Sequence, residues 1–267
     1  MKFNKFVAKH KVLALILING VEYLFLAFMY YLQFLGLTGV IVWAIILFIV
    51  NFLSAWVVES VLLEGPLKVL DNYCDPDDFY NMTKELLSYK LKGRKRLVIL
   101  MDYSTALSAK GEYEEACSIL ESIDSAKLSQ GAAHILMIYN YNLACMYMNL
   151  ERYEEARPLF EVTEQFYNCL KEGKFKSSWA IIAENAKLFN HYCKGEYAET
   201  LRYEQDVENA PLRQKVSRSF TFAKAYLALG ENEKAREKLN FVLVNGNRLH
   251  IVKLAKQLLD NMQNNVN

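Results

Sequence analysis

Four histidines, five cysteines and a recurring pair of glutamates are the side chains of this chain best suited to chemistry. His10, His134, His191 and His250 are scattered, with none of the short spacings by which histidines hold a metal. Cys74, Cys117, Cys145, Cys169 and Cys193 contain no C-x-x-C, and an odd number of thiols at these spacings fits neither a disulfide framework nor a zinc site. They are expected as reduced, half-buried thiols in a reducing compartment. The pairs Glu114-Glu115 and Glu154-Glu155 each follow a tyrosine. Two adjacent carboxylates invite an acid–base reading; their place in the first turn of a helix explains them instead as partners of the helix dipole. No G-x-S-x-G, H-E-x-x-H or glycine-rich phosphate loop occurs. The chain therefore reads as no enzyme, with no metal and no cofactor, and the chemistry to look for is recognition.

The charge balance narrows the partner. Lys and Arg number 31 against 30 Asp and Glu in 267 residues, which gives no electrostatic case for nucleic acid. Four prolines and 11 glycines are sparse punctuation and favour long helices.

The block from Val12 to Leu63 holds no Lys or Arg, and its only acids are Glu22 and Glu59. A bilayer core of about 30 Å takes ~20 apolar residues per helix, so the block predicts a hairpin of two transmembrane spans, about 12–35 and 40–58, turning at Gly36–Gly39. Cationic flanks stay cytoplasmic, and lysines lie outside both ends of the block. The expectation is an integral protein of a bacterial-type plasma membrane, with both termini and the soluble domain cytoplasmic. Asn19 and Glu22 share one helix face, as do Asn51 and Ser54, and folding the hairpin at its turn brings the two pairs to one depth. Polar groups in lipid are costly unless satisfied. Three readings stay open: a hydrogen-bonded clasp between the helices, a contact to another membrane protein, or a proton path.

Residues 66–94 form a connector. Glu64-Gly65-Pro66 is expected to end the second span, and Asp75-Pro76 to start a helix with Asp75 as its cap. The cluster Lys90, Lys92, Arg94, Lys95 and Arg96 follows. It is read either as a solvated turn between helices or as a contact to anionic lipid, where each cation gains about 1 kcal/mol.

From residue 95 one phrase recurs: Gly111-Glu112-Tyr113-Glu114-Glu115-Ala116, Glu151-Arg152-Tyr153-Glu154-Glu155-Ala156, Gly195-Glu196-Tyr197-Ala198-Glu199-Thr200 and Gly230-Glu231-Asn232-Glu233-Lys234-Ala235. Self-similarity at intervals of 35–44 residues signals stacked supersecondary units. An apolar-periodic stretch precedes each phrase (97–109, 132–149, 178–193, 214–229) and another follows it (114–123, 154–169, 198–207, 233–244). Twelve residues before Ala116, Ala156, Thr200 and Ala235 stand Ser104, Ala144, Leu188 and Ala223, mostly small, as a close helix crossing requires. A final helix at about 249–262 would cap the open end.

These units resemble tetratricopeptide repeats. The likeness rests on Ala144, Tyr147, Tyr153, Ala156 and Phe160, on Ala223, Tyr226, Gly230 and Ala235, on Ser104, Gly111, Tyr113 and Ala116, and on a degenerate copy at Leu188, His191, Gly195, Tyr197 and Thr200. It covers about 95–245, with spacings above the family's ~34; armadillo- or HEAT-type helix pairs are the alternative. The expected architecture is all-α: the transmembrane hairpin (1–65), the connector (66–94) and an α-solenoid of about four helix pairs (95–267). The resemblance implies a concave surface of first helices that binds a peptide or protein, with Tyr141, Met148, Asn185, Phe189, Tyr192, Phe220 and Lys224 facing it, among neighbours such as Met101, Thr105 and Cys145. The expected function is a membrane-anchored scaffold that recruits a protein partner; the alternative is an accessory subunit that joins a membrane complex through Asn19, Glu22, Asn51 and Ser54.

Overall fold

The structure, a computed structural model, describes residues 20, 22–31, 36–89, 91–129, 133–207 and 210–264; the side chains of 54–64, 127, 129, 175, 206 and 207 lie outside the description. Among the described residues every regular element is a helix. The chain divides into two compact units, Met1–Gly65 and Pro66–Asn267.

In the first unit residues 22–31 are helical (α1), and α2 runs Leu37–Tyr73. Glu64-Gly65-Pro66 does not end α2. Pro66 sits inside the helix, where it removes one backbone donor. The residues after it stay helical because Leu67, Leu70 and Cys74 are packed into the core of the second unit, Leu70 and Cys74 completely. Helix α2 therefore carries Glu59, Glu64, Lys68 and Asp71 along its length. Among the described residues no helix is long and apolar enough to cross a membrane. That finding corrects the expected transmembrane hairpin at 12–35 and 40–58, and with it the placement of the chain as an integral membrane protein with cytoplasmic termini.

In the second unit α3 (Pro76–Ser88) starts as its sequence demands: Asp75 Oδ1 accepts from the backbone N–H of Asp77 and Asp78, both at 3.1 Å, and Pro76 fills the first helical position. Then come four helical hairpins. Helix α4 (Gly93–Lys110) pairs with α5 (Tyr113–Glu121). After the short α6 (Ser125–Ser129), α7 (Ala133–Asn149) pairs with α8 (Tyr153–Asn168). After α9 (Lys174–Ser177), α10 (Ala180–Cys193) pairs with α11 (Tyr197–Leu201), which tightens into a 3-10 turn at Arg202–Val207. Finally α12 (Leu212–Ala228) pairs with α13 (Asn232–Asn245), and α14 (His250–Asn264) follows.

The recurring phrase has one backbone geometry. Gly111, Glu151, Gly195 and Gly230 take left-handed φ values of 89°, 59°, 74° and 77°. The N–H of the next residue bonds the carbonyl five residues back in every copy: Glu112 to Leu107 at 3.0 Å, Arg152 to Tyr147 at 2.8 Å, Glu196 to His191 at 3.0 Å and Glu231 to Tyr226 at 2.9 Å. This is a Schellman closure, which satisfies the last carbonyls of one helix and sends the chain into the next. The paired small positions are equally regular: Ala116, Ala156, Thr200 and Ala235, and Ser104, Ala144, Leu188 and Ala223, are all fully buried. In the first hairpin the pair is hydrogen-bonded as well, Ser104 Oγ donating to the Ala116 carbonyl at 2.8 Å.

Successive hairpins stack, α5 on α7, α8 on α10, α11 on α12 and α13 on α14. The expected cap, α14, does more than cover an open end. Leu249, Ala255 and Leu259 share one buried cluster with Leu70, Cys74, Phe79 and Ala106 from the start of the unit and with Val216, Phe220, Ala223, Leu239 and Val242 from α12 and α13. Polar contacts join the same ends. Asn247 Nδ2 donates to the Tyr73 carbonyl at 2.9 Å, and Arg213 Nε meets Asp71 Oδ1 at 2.6 Å. The array closes on itself.

The tightest point of that closure is Gly111. A Cβ there would lie 2.4 Å from His250 Cγ, and the φ of 89° disfavours any other residue. Gly195 has a similar φ and open space around it. Gly111→Ala is therefore expected to destabilise by about 2–3 kcal/mol and Gly195→Ala by about 1 kcal/mol. Equal losses in denaturant unfolding would show that α14 does not press on this turn.

Candidate functional site

The first helices of the four hairpins, α4, α7, α10 and α12, face one another across the middle of the closed array. They leave a cavity of about 110 Å³ lined by Thr105 and Ser108 from α4, Tyr141, Cys145 and Met148 from α7, Phe189 from α10 and Arg213, Ser217, Phe220 and Lys224 from α12, with Leu249 and Ile251 closing it near the C-terminus. An adjoining hollow of about 260 Å³ shares Tyr113, Met148, Asn149, Phe220 and Lys224 with the cavity and adds Glu151, Tyr153, Leu254, Gln257, Leu258 and Asn261. The two share this wall, and we term the larger, adjoining hollow the mouth of the smaller.

Seven of the ten residues expected on the concave face line the cavity: Thr105, Tyr141, Cys145, Met148, Phe189, Phe220 and Lys224. The Tyr141 and Phe189 rings stack with centroids 6.5 Å apart. Tyr192 does not line the cavity but supports it from behind, its ring centroid 4.7 Å from Lys224 Nζ; Phe220 flanks the same ammonium at 5.2 Å. Asn185 is buried and committed inside the seam between α10 and α12. Its Oδ1 accepts from Arg218 Nε at 2.5 Å and its Nδ2 donates to Gln214 Oε1 at 3.2 Å.

Burial sets the electrostatics. It raises the Tyr141 hydroxyl well above its ordinary range and pushes the Cys145 thiol up to about 12, so both are neutral hydrogen-bonding groups. Cys193 is likewise raised to about 12, and Cys74 and Cys117 to about 11, all by burial. These thiols are inert at neutral pH. Burial draws Lys224 below its ordinary value, with Glu151 pulling the other way. At one end of the cavity Arg213 is paired with Asp71, and Asp102 stands in the same field. Burial, with the charge of Asp71, pushes the Asp102 carboxyl up to about 7 against the pull of Arg213.

Several lining groups went unseen in the sequence, Arg213, Leu249 and Ile251 among them. Arg213 sits one residue before the expected start of its helix, and the N-terminal extension of α12 to Leu212 brings it inward. Leu249 and Ile251 arrive only because the array closes, and no local pattern announces a contact of that range.

The other recognition candidates lie elsewhere. In the first unit Asn51 Nδ2 donates to Glu22 Oε2 at 2.8 Å, which ties α1 to α2. Asn19 and the side chain of Ser54 lie outside the described residues. Lys92 caps α4 without a side-chain bond, and Arg94, Lys95 and Arg96 are exposed on its first turn, where cations oppose the helix dipole; Lys90 lies outside the described residues. Among the described residues no three His, Cys, Asp or Glu side chains converge as a metal site. Comparison with protein-family models, with curated proteins and with solved structures finds no match to the chain.

Proposed function

We propose that the second unit is a protein-interaction module of tetratricopeptide type, which captures a segment of a partner protein at the face where its first helices meet. The observation that carries this reading is the cavity itself. Tyr141, Met148, Phe189 and Phe220 converge from three consecutive hairpins on one space, and such a space, open at a polar mouth, suits a side chain from another polypeptide. The scale sets the mode. An apolar cavity of about 150 Å³ admits benzene, so one of about 110 Å³ takes a single medium-sized side chain and not a whole helix. The partner inserts one residue and lays the rest of the segment across the mouth. The same arrangement makes the domain a scaffold, since the outer faces of the second helices remain available while the inner face is engaged.

Selection of random twelve-residue peptides on the full chain tests this. Enriched peptides are expected to bind the parent and to lose at least tenfold in affinity for Ser217→Phe, in which a phenyl ring fills the cavity from the α12 side. Gly195→Ala, at a turn away from the cavity, should bind as the parent does. No enrichment, or equal binding to Ser217→Phe, would remove the reading.

A further inference from the structure

Lys224 is largely buried, yet no carboxylate stands within ion-pair distance of it among the described residues. Several cations of the array are matched: Lys194 with Glu161 at 3.1 Å, Lys110 with Asp77 at 3.4 Å, Arg213 with Asp71 at 2.6 Å, and Lys238 with Glu204. The rings of Tyr192 and Phe220 flank the Lys224 ammonium. Ring faces attract a cation but do not neutralise it. A buried cation left in this state favours any arrangement that supplies an anion. Lys224 also belongs to both the cavity and its mouth, so an anion arriving from solvent reaches it without displacing the core.

The mouth adds a second feature. Asn149, Gln257 and Asn261 line it, exposed, and their side-chain amides make no hydrogen bond to any described residue. Amide side chains both donate and accept, which matches the alternating N–H and C=O groups of an extended backbone. A chain end would need only the cation; a row of free amides across the mouth suits a segment that passes through.

We propose that the site takes an internal, extended segment of a partner protein in which an Asp or Glu side chain pairs with Lys224 and an adjacent aliphatic side chain enters the cavity. The inference rests on the peptide-capture reading above and names the chemistry of its ligand. Glu151, on the rim, is the one acidic group in the lining of the mouth; it opposes an incoming carboxylate, so Glu151→Gln should strengthen binding severalfold.

The test uses the full chain and peptides displayed with both ends fused to carrier, so that no free C-terminal carboxylate is present. Selected sequences are expected to place Asp or Glu beside Leu, Val or Met. A synthetic peptide of the winning sequence, amidated at its C-terminus, should lose at least tenfold in affinity when its acid is changed to the amide. Lys224→Met should lose the same factor for the acidic peptide and discriminate little between acid and amide, while Lys224→Arg should stay within about threefold of the parent. Lys224→Met loses a buried charge and should melt at or above the parent, which separates a binding defect from a folding one. Selected peptides without an acid, affinity unchanged in Lys224→Met, or binding that requires a free C-terminal carboxylate would each overturn the inference while leaving peptide capture standing. Failure to select any peptide would instead overturn peptide capture.

Discussion

Replacing Arg218 by alanine is expected to lower stability by about 3–5 kcal/mol, a fall of roughly 10 °C or more in melting temperature for a domain of this size. The Arg218 side chain is 0 % exposed. Its Nε donates to Asn185 Oδ1 at 2.5 Å and its Nη2 to Glu184 Oε2 at 3.2 Å, so one guanidinium bolts α12 to α10. Truncation leaves the buried Asn185 oxygen without this donor and opens a void between the third and fourth hairpins. Arg218→Lys keeps the charge but not the planar fork, and should recover only part of the loss. Arg202 is the control. It pairs with Glu199 at 2.9 Å but is 75 % exposed, and Arg202→Ala should change stability by no more than about 0.5 kcal/mol. Denaturant unfolding followed by circular dichroism measures both. An Arg218→Ala protein within about 1 kcal/mol of the parent would show that the α10–α12 seam is held by its apolar contacts alone.

Asp102→Asn is expected to stabilise the protein above neutral pH and to do little in acid. Burial and the Asp71 charge raise the Asp102 carboxyl to about 7 in the folded chain, whereas an unfolded aspartate titrates near 4. The stability from holding that proton is fully present below about pH 4. Between about pH 4 and 7 the folded protein keeps a proton that the unfolded chain has released, so stability falls as pH rises; above about 7 both forms are ionised and the slope ends. The full shift corresponds to about 4 kcal/mol, and partial hydration of the site leaves about 1–3 kcal/mol as the expected gain for the neutral amide at pH 8. At about 2–4 °C per kcal/mol the variant should melt several degrees higher at pH 8 and nearly match the parent at pH 4. A variant that gains nothing at pH 8, or gains equally at both values, would place Asp102 in contact with water.

The repeats were legible because they are local. The left-handed turn residue and the small pair twelve residues apart both come from within one hairpin, and Gly111-Glu112-Tyr113 or Glu151-Arg152-Tyr153 states them directly. Helix α3 was legible for the same reason, since Asp75 and Pro76 act within one turn. The end of α2 was not. Glycine and proline at 65 and 66 are strong local breakers, and they were overruled by burial of Leu70 and Cys74 against partners well over a hundred residues away. The apolar block misled in the same direction. Hydropathy alone suggests two spans, but hydropathy does not tell where a helix starts and stops, and α2 extends through charged residues to Tyr73. The site was half legible. Tyr141, Met148, Phe189, Phe220 and Lys224 lie on first helices at the inward positions of a repeating unit. Whether such residues line a space or fill it depends on closure of the array by α14, a contact without a sequence signature. Asn185 shows the difference. Its periodicity matches that of its inward neighbours, and only the buried Arg218 across the seam assigns its amide to packing.

The central claim is that a partner segment enters the space between the first helices. Methionine methyl groups report on it directly, because Met148 lines both the cavity and its mouth, while Met101 and Met137 are buried and line neither. With ε-methyl-labelled methionine and a peptide selected on the full chain, the account predicts a saturable shift of the Met148 resonance at the concentration set by the binding constant, with Met101 and Met137 unmoved. Saturable binding that leaves Met148 unshifted would contradict it.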